Sequence, residues 1–390
     1  MVRVFVNLCW RLVCLLAVTG SFHCGSAYGQ IDVARRDLVE LGYNAALEGH
    51  PPLAAYFFYY HNQPEFLRPD LTLRLAVAPT YLDTQLGVSG VLGEHTDLGI
   101  GVAGGGYSDN YREIQQGTFW PSQSFLGHSA QVSFSLYHLF NPEQRIPLYG
   151  LVCGLAHYSV FARDDRTADD FVLPQDGGTF SVRTGLRWGG REPKLLPPLA
   201  MELSVWYQGL FRTWSGTYGY GDRSVQPASH LFWARAMVAY TLPECQQRVG
   251  LTITAGTSLS ADRFSAYRLG GLLPLIAEFP LSLPGYYYQE ISATDFVLIS
   301  GNYRVPLDHR KRWNLIATAS TSVVDYLHGL EQPGRWNTGV GGGLLYDWKA
   351  WRVMLGYSYG IDAIRSHGRG AQSLNFLLQF DLGKAMGRQQ

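Results

Sequence analysis

The chain has 390 residues, 46% hydrophobic and 14% aromatic but only 16% charged, and its 31 basic and 31 acidic side chains balance to zero formal charge. That balance offers no basic surface for nucleic acid. A helical membrane protein needs about 20 consecutive apolar residues per span; beyond the N-terminus no such run occurs, and 44 glycines with a mean hydropathy of -0.05 suit strands that place apolar residues at every second position.

In chain order, Arg3 and Arg11, the apolar stretch Leu12 to Val18 and the small residues up to Ala27-Tyr28-Gly29 read as a secretory signal over 1–29. Three of the five cysteines lie within it, and Cys153 and Cys245 alone do not indicate a disulfide framework. Residues 30–52 are expected to be a periplasmic lead, either one short helix or an extended plug. Leu53 to Tyr60, bounded by Pro51-Pro52 and Pro64, is the first expected strand, because aromatics between turn formers favour extended chain.

From there a period of two repeats. Leu71, Leu73, Leu75 and Val77 alternate with Thr72, Arg74 and Ala76; Phe180, Val182, Leu186 and Trp188 alternate with Ser181, Arg183, Gly185 and Arg187. Near the end Trp351, Val353, Leu355, Tyr357, Tyr359 and Ile361 form one face, and Leu374, Phe376, Leu378, Phe380 and Leu382 another. Alternate residues point to opposite sides of a sheet, so the apolar set is assigned to lipid and the Gly, Ser and Arg set to a lumen. A soluble sandwich shows similar alternation, but aromatic strand ends suit the girdles of a membrane barrel.

The fold expected is all-β, a transmembrane antiparallel β-barrel of about fourteen strands, within about 12–16, running over 53–383 with a tail at 384–390. Short connections at 243–248, 307–311 and 349–350 fall on one side; longer ones at 109–124, 162–177, 213–228, 262–287, 326–336 and 363–371 fall on the other. Arg183, Arg187, Glu202, Arg235, Arg304, Arg352 and Asp381 are expected to face the lumen, either setting ion selectivity or closing the barrel as an ion network.

The segment 267–287 is unusually long for a connection. Gly270-Gly271 permits a tight reversal, and Pro274, Pro280 and Pro284 stiffen the return. An apolar loop such as LLPLIAEFPLSLPGYYY is poorly suited to open water. It is expected to fold inward as a gate or plug carried by Arg268, Gly270, Gly271, Pro274, Glu278, Pro284 and Gly285.

This loop and the strand after it resemble the surface-antigen superfamily, whose members include the outer-membrane assembly factor and two-partner secretion translocators. The resemblance rests on Leu269-Gly270-Gly271, on Pro284-Gly285-Tyr286 and on Asn302-Tyr303-Arg304-Val305-Pro306-Leu307, and covers the last third of the chain. It implies a bacterial outer-membrane barrel, an inward loop followed by about four strands, and gated translocation or assembly of protein or lipid. Two departures stand against transfer of that role. Residues 30–52 are too short for the family's periplasmic POTRA domains, and Ile276-Ala277-Glu278-Phe279 stands where the family has an Arg-Gly-aromatic loop tip.

Other chemistry is weaker. Gly356-Tyr357-Ser358-Tyr359-Gly360 spells a nucleophile elbow but lies inside an alternating strand. An outer-membrane lipid-modifying enzyme would pair a Ser with a His on neighbouring strands, for which His138 and His157 are only loose candidates, and no enzyme is expected. Gly99, Gly101 and Gly104 lack the helix of a dinucleotide site. Asp164, Asp165, Asp169, Asp170 and Asp176 fit a solvated loop better than a cation site. Neither cofactor nor metal is expected. The partners expected are the outer-membrane bilayer and the barrel-assembly machinery, which would read Phe376 and Phe380 in the last strand. A passive diffusion channel, or a structural barrel with a blocked lumen, is the alternative function.

Overall fold

The computed structural model describes residues 34–144, 146–190, 201–273, 279–366 and 368–386. The signal segment 1–29, Pro274, Glu278 and the tail beyond 386 lie outside them. No described helix is long and apolar enough to cross a membrane.

Sixteen strands form the ring: β1 (Arg36–Ala46), β2 (Ala54–Pro64), β3 (Leu71–Ala78), β4 (Tyr81–Ser89), β5 (Thr96–Gly105), β6 (Leu126–Leu139), β7 (Leu148–Ala162), β8 (Gly177–Gly189), β9 (Met201–Arg212), β10 (Ala228–Thr241), β11 (Arg248–Leu259), β12 (Ile291–Pro306), β13 (Trp313–Tyr326), β14 (Trp336–Trp348), β15 (Trp351–Arg365) and β16 (Gly368–Asp381). Each pairs antiparallel with its chain neighbours, and β1 closes the ring against β16 from Leu38↔Asp381 to Ala46↔Ser373. Closure leaves no open edge to the sheet as a whole. A seventeenth strand, Tyr267–Leu269, adds to the start of β12 outside the ring.

The all-β expectation holds, and the count is corrected from about fourteen to sixteen. Arg36–Ala46, expected as a helix or plug, is the closing strand β1. The single strand expected near 70–82 is instead the hairpin β3–β4, turning at Pro79-Thr80. The loop expected at 363–371 is absorbed into strand, so that β15 and β16 meet in a tight hairpin.

Alternation sets what each face carries. On β8 Phe180 and Leu186 are about half exposed, whereas Ser181 and Arg187, each the next residue along, are buried. Outward aromatics cluster at the end with short turns: Trp313 lies 4.6 Å from Tyr346, and Trp351 lies 4.2 Å from Phe380. The long connections 106–125, 163–176, 213–227 and 260–290 gather at the opposite end.

Candidate functional site: the loop across the lumen

The longest connection starts at a buried anchor. Asp262 accepts both guanidinium nitrogens of Arg212 (2.9 and 3.2 Å) and the backbone N–H groups of Gln226, Phe264 and Ser265. Arg268 and its strand mates then run along β12, and Gly270 turns the chain inward at φ +143°, so close to the Tyr287 carbonyl that a Cβ would collide with it. Gly271, at φ +74°, accepts from the Leu283 N–H (2.8 Å) and so holds the two arms of the loop together.

The loop touches two facing walls. On one, Leu273 is buried among Leu345, Met354 and Leu377, the inward residues of β14, β15 and β16. On the other, Phe279 packs its ring 5.0 Å from Trp206 on β9 and 5.6 Å from Trp233 on β10, while Arg187 lies over it at 5.7 Å. The return arm seats against β14 and β15: the Pro284 carbonyl approaches Gly339, and Gly285 (φ +81°) lies on the backbone of Tyr359 and Gly360, where a Cβ would collide. The Gly285 N–H donates to Ser358 Oγ (3.2 Å), which is also held by Ser373 and Asn375.

A latch fixes this arm. Arg365, at the end of β15, donates to both oxygens of Glu290 (2.9 and 3.0 Å) and lies 3.7 Å over the Tyr287 ring. Both charged side chains are fully enclosed, at 2% and 0% exposure. Sequence reasoning missed this pair, because Arg365 fell in an expected loop and Glu290 in an expected strand start. The only signal was two opposite charges on either side of the four strands β12–β15.

Above the loop the outer connections form a lid. Tyr111, Phe125, Phe161, Phe171, Trp214, Tyr218 and Val225 make one buried cluster with Phe264 inserted. Within it Glu113 meets Arg223 (3.4 Å) and Arg263 (3.3 Å) and accepts from the Tyr111 hydroxyl and Gln115. Burial pushes the Glu113 carboxyl up, but the two guanidinium charges and two hydrogen bonds outweigh it and hold it below its ordinary range.

The charges expected in the lumen divide into two groups. Arg187 and Glu202 approach within 3.8 Å, Arg183 and Arg187 lie over Trp206, and Arg235 stands opposite Ser204, so these four share the β8–β10 wall, with Arg187 also against Phe279. Nearer the short-turn end, Arg304 donates to Asn314 (3.0 Å), Arg352 pairs with Asp347 (2.8 Å), and Gln379 links Arg352 to Glu40 on β1. Asp381 stands apart from both, accepting from the Lys384 N–H (3.0 Å) as the cap of a short helix at Leu382–Ala385.

The remaining candidates are dispersed. Ser358 lies in mid-strand, so the strand–turn–helix of a nucleophile elbow is not formed. His138 bonds Thr96 (2.8 Å); His157 and Ser159 share one Asp109 oxygen, at 2.7 and 2.5 Å, instead of forming a relay through the two ring nitrogens. Among the described residues no group of three metal-ligating side chains is positioned for an ion; Asp164 pairs with Arg112 and Asp176 accepts from the Phe161 N–H. Cys153 and Cys245 are free thiols. Phe376 and Phe380 lie on the outward face of β16, Phe380 against Trp351.

A closed antiparallel barrel crossed by an inward loop from its longest connection is thus the class of protein in hand. No family model and no curated protein matches the chain. Solved structures do. CdiB from Escherichia coli matches with TM-score 0.58 at 12% identity over 88% of this chain and 63% of its own. BamA from Haemophilus ducreyi lacking POTRA domains 1-3 matches with TM-score 0.57 at 10% identity over 89% and 70%, and CdiB from Acinetobacter baumannii with TM-score 0.56 at 10% identity over 89% and 60%. The chain spans less than two thirds of either CdiB. It shares the barrel fold of CdiB and BamA, the kind of barrel that the loop and strand motifs at 267–307 led one to expect.

Proposed function

We propose that the protein is a bacterial outer-membrane barrel of the translocation or assembly type, plugged by its 270–290 loop and opened by displacement of that loop. The single observation carrying this reading is the Arg365–Glu290 latch, a buried ion pair that ties the return arm of a stiff, apolar loop to the inner wall. Removing one partner of a buried ion pair costs about 3–5 kcal/mol because the other charge is stranded. The loop would then lose its seat while the ring, held by backbone pairing, stays closed.

The substrate class under this reading is a polypeptide or lipid handled at the membrane, with the half-exposed apolar outer face in contact with the acyl chains. A structural barrel with a permanently blocked lumen is the second reading, and the aromatic lid over the loop favours it. Neither reading requires enzyme chemistry. Single-channel recording of the refolded chain beside Glu290→Gln and a variant lacking 268–285 tests the proposal. A silent parent, a flickering Glu290→Gln and a large steady pore in the deletion support gating. Silence in all three supports the blocked barrel.

A further inference from the structure

Between the loop and the β9–β12 wall lies a cavity of about 280 Å3. Much of its lining is apolar: Leu231, Trp233, Phe279, Leu281 and Phe296. Ligand sites are commonly concave and apolar with a few polar groups, and here two of the lining residues, Arg268 and Trp233, carry donors and no negative charge.

The first is Arg268, half-buried, whose guanidinium lies over the Tyr111 ring at 5.0 Å and donates to the carbonyls of Arg263 (3.4 Å) and Gln289 (3.5 Å). Among the described residues no carboxylate pairs with it. The second is Trp233, 7% exposed, whose buried indole N–H has no acceptor. Buried donors are normally satisfied, and a guanidinium beside apolar surface favours an anion, best of all a carboxylate taken by two parallel hydrogen bonds.

We propose that this cavity binds a small monocarboxylate with an apolar body, its carboxylate on Arg268 and Trp233 and its hydrocarbon part among Phe279, Leu281 and Phe296. The excess of donors selects the anion. The aromatic lining selects the apolar body, and the volume limits it to a short chain or single ring. Because Phe279 and Leu281 belong to the loop while Trp233 and Phe296 belong to the wall, the ligand bridges the two. The site does not depend on the loop acting as a plug.

Octanoate is the probe, titrated calorimetrically into the full chain in lipid nanodiscs with empty nanodiscs as blank; octan-1-ol and octylammonium are the controls. Saturable octanoate binding is expected, with the alcohol at least about tenfold weaker and the ammonium ion not bound. Arg268→Gln should weaken octanoate by about tenfold or more, the loss expected for a charge-assisted hydrogen bond, and Trp233→Phe by severalfold with the ring retained. Should Arg268→Gln fail to show the heat-modifiable gel mobility of a folded barrel, Arg268→Lys and Trp233→Phe decide instead. No binding above the blank, equal affinity for octylammonium, or unchanged affinity in the folded variants would overturn the proposal.

Discussion

Gly285 shows how one residue fixes the position of the whole loop. Its φ of +81° belongs to the left-handed region, and its Cα hydrogen faces the Tyr359–Gly360 backbone with no room for a methyl group. Gly285→Ala should therefore unseat the return arm without touching any charge. Its expected signature is protease cleavage within 270–290 of a barrel that still shows folded gel mobility; resistance equal to the parent would show that the close approach does not matter. Glu113 carries a pH dependence of definite sign. Its carboxyl is held below its ordinary 4.5, so the stability it lends the lid is complete above that value and falls as the pH drops through the depressed one. Tryptophan fluorescence, through Trp214 in the lid, should change as the pH is lowered from neutral to below 4.5, and Glu113→Gln should remove most of that transition. A transition of undiminished size in the variant would place its origin elsewhere. Neither the latch nor the lid was legible in the sequence, because Glu290 with Arg365 and Glu113 with Arg223 are distant pairs that leave no trace in periodicity.

At the scale of the strand, alternation was a sound guide wherever the outward residues formed an unbroken apolar set. It failed at the N-terminal end of the barrel for two reasons. In β1 the apolar Val39, Leu41 and Tyr43 do alternate with Glu40, Gly42 and Asn44, but Arg36, Asp37 and Glu40 give the stretch a polar average that hides the pattern. At β3–β4 the two-residue turn Pro79-Thr80 sits between apolar residues on both sides, so the run reads as one strand. The same region holds the weakest stretch of wall. β2 pairs with β1 from Ala54 to Asn62 but with β3 only from Tyr59 to Pro64, leaving Ala54–Phe58 without β3 partners. Strand edges with unpaired backbone open first. Hydrogen exchange in lipid should be faster at residues 55–58 than at 41–44 on β1, which is paired on both sides. Equal protection would mean that this edge is covered.

For the whole molecule, the outward apolar face and its aromatic ends suit a bilayer, and on the proposed function the last strand carries the signal for insertion. Phe376 and Phe380 stand on the outward face of β16, the strand that closes the ring. Replacing both with Ser should sharply reduce the folded barrel recovered from outer-membrane fractions; normal amounts would remove any signal role for that strand. The candidate loop was legible from Gly270-Gly271 and its prolines because backbone reversal leaves a mark in residue type, whereas the wall that receives it emerged only from the folded register. On the proposed function the 270–290 loop blocks the lumen and Arg365 holds it there. Single-channel conductance of Arg365→Gln beside the parent tests it most directly. Brief openings in the variant and silence in the parent are the predicted result. A steady open pore in the parent, or conductance unchanged by loss of both Arg365 and residues 268–285, would contradict it.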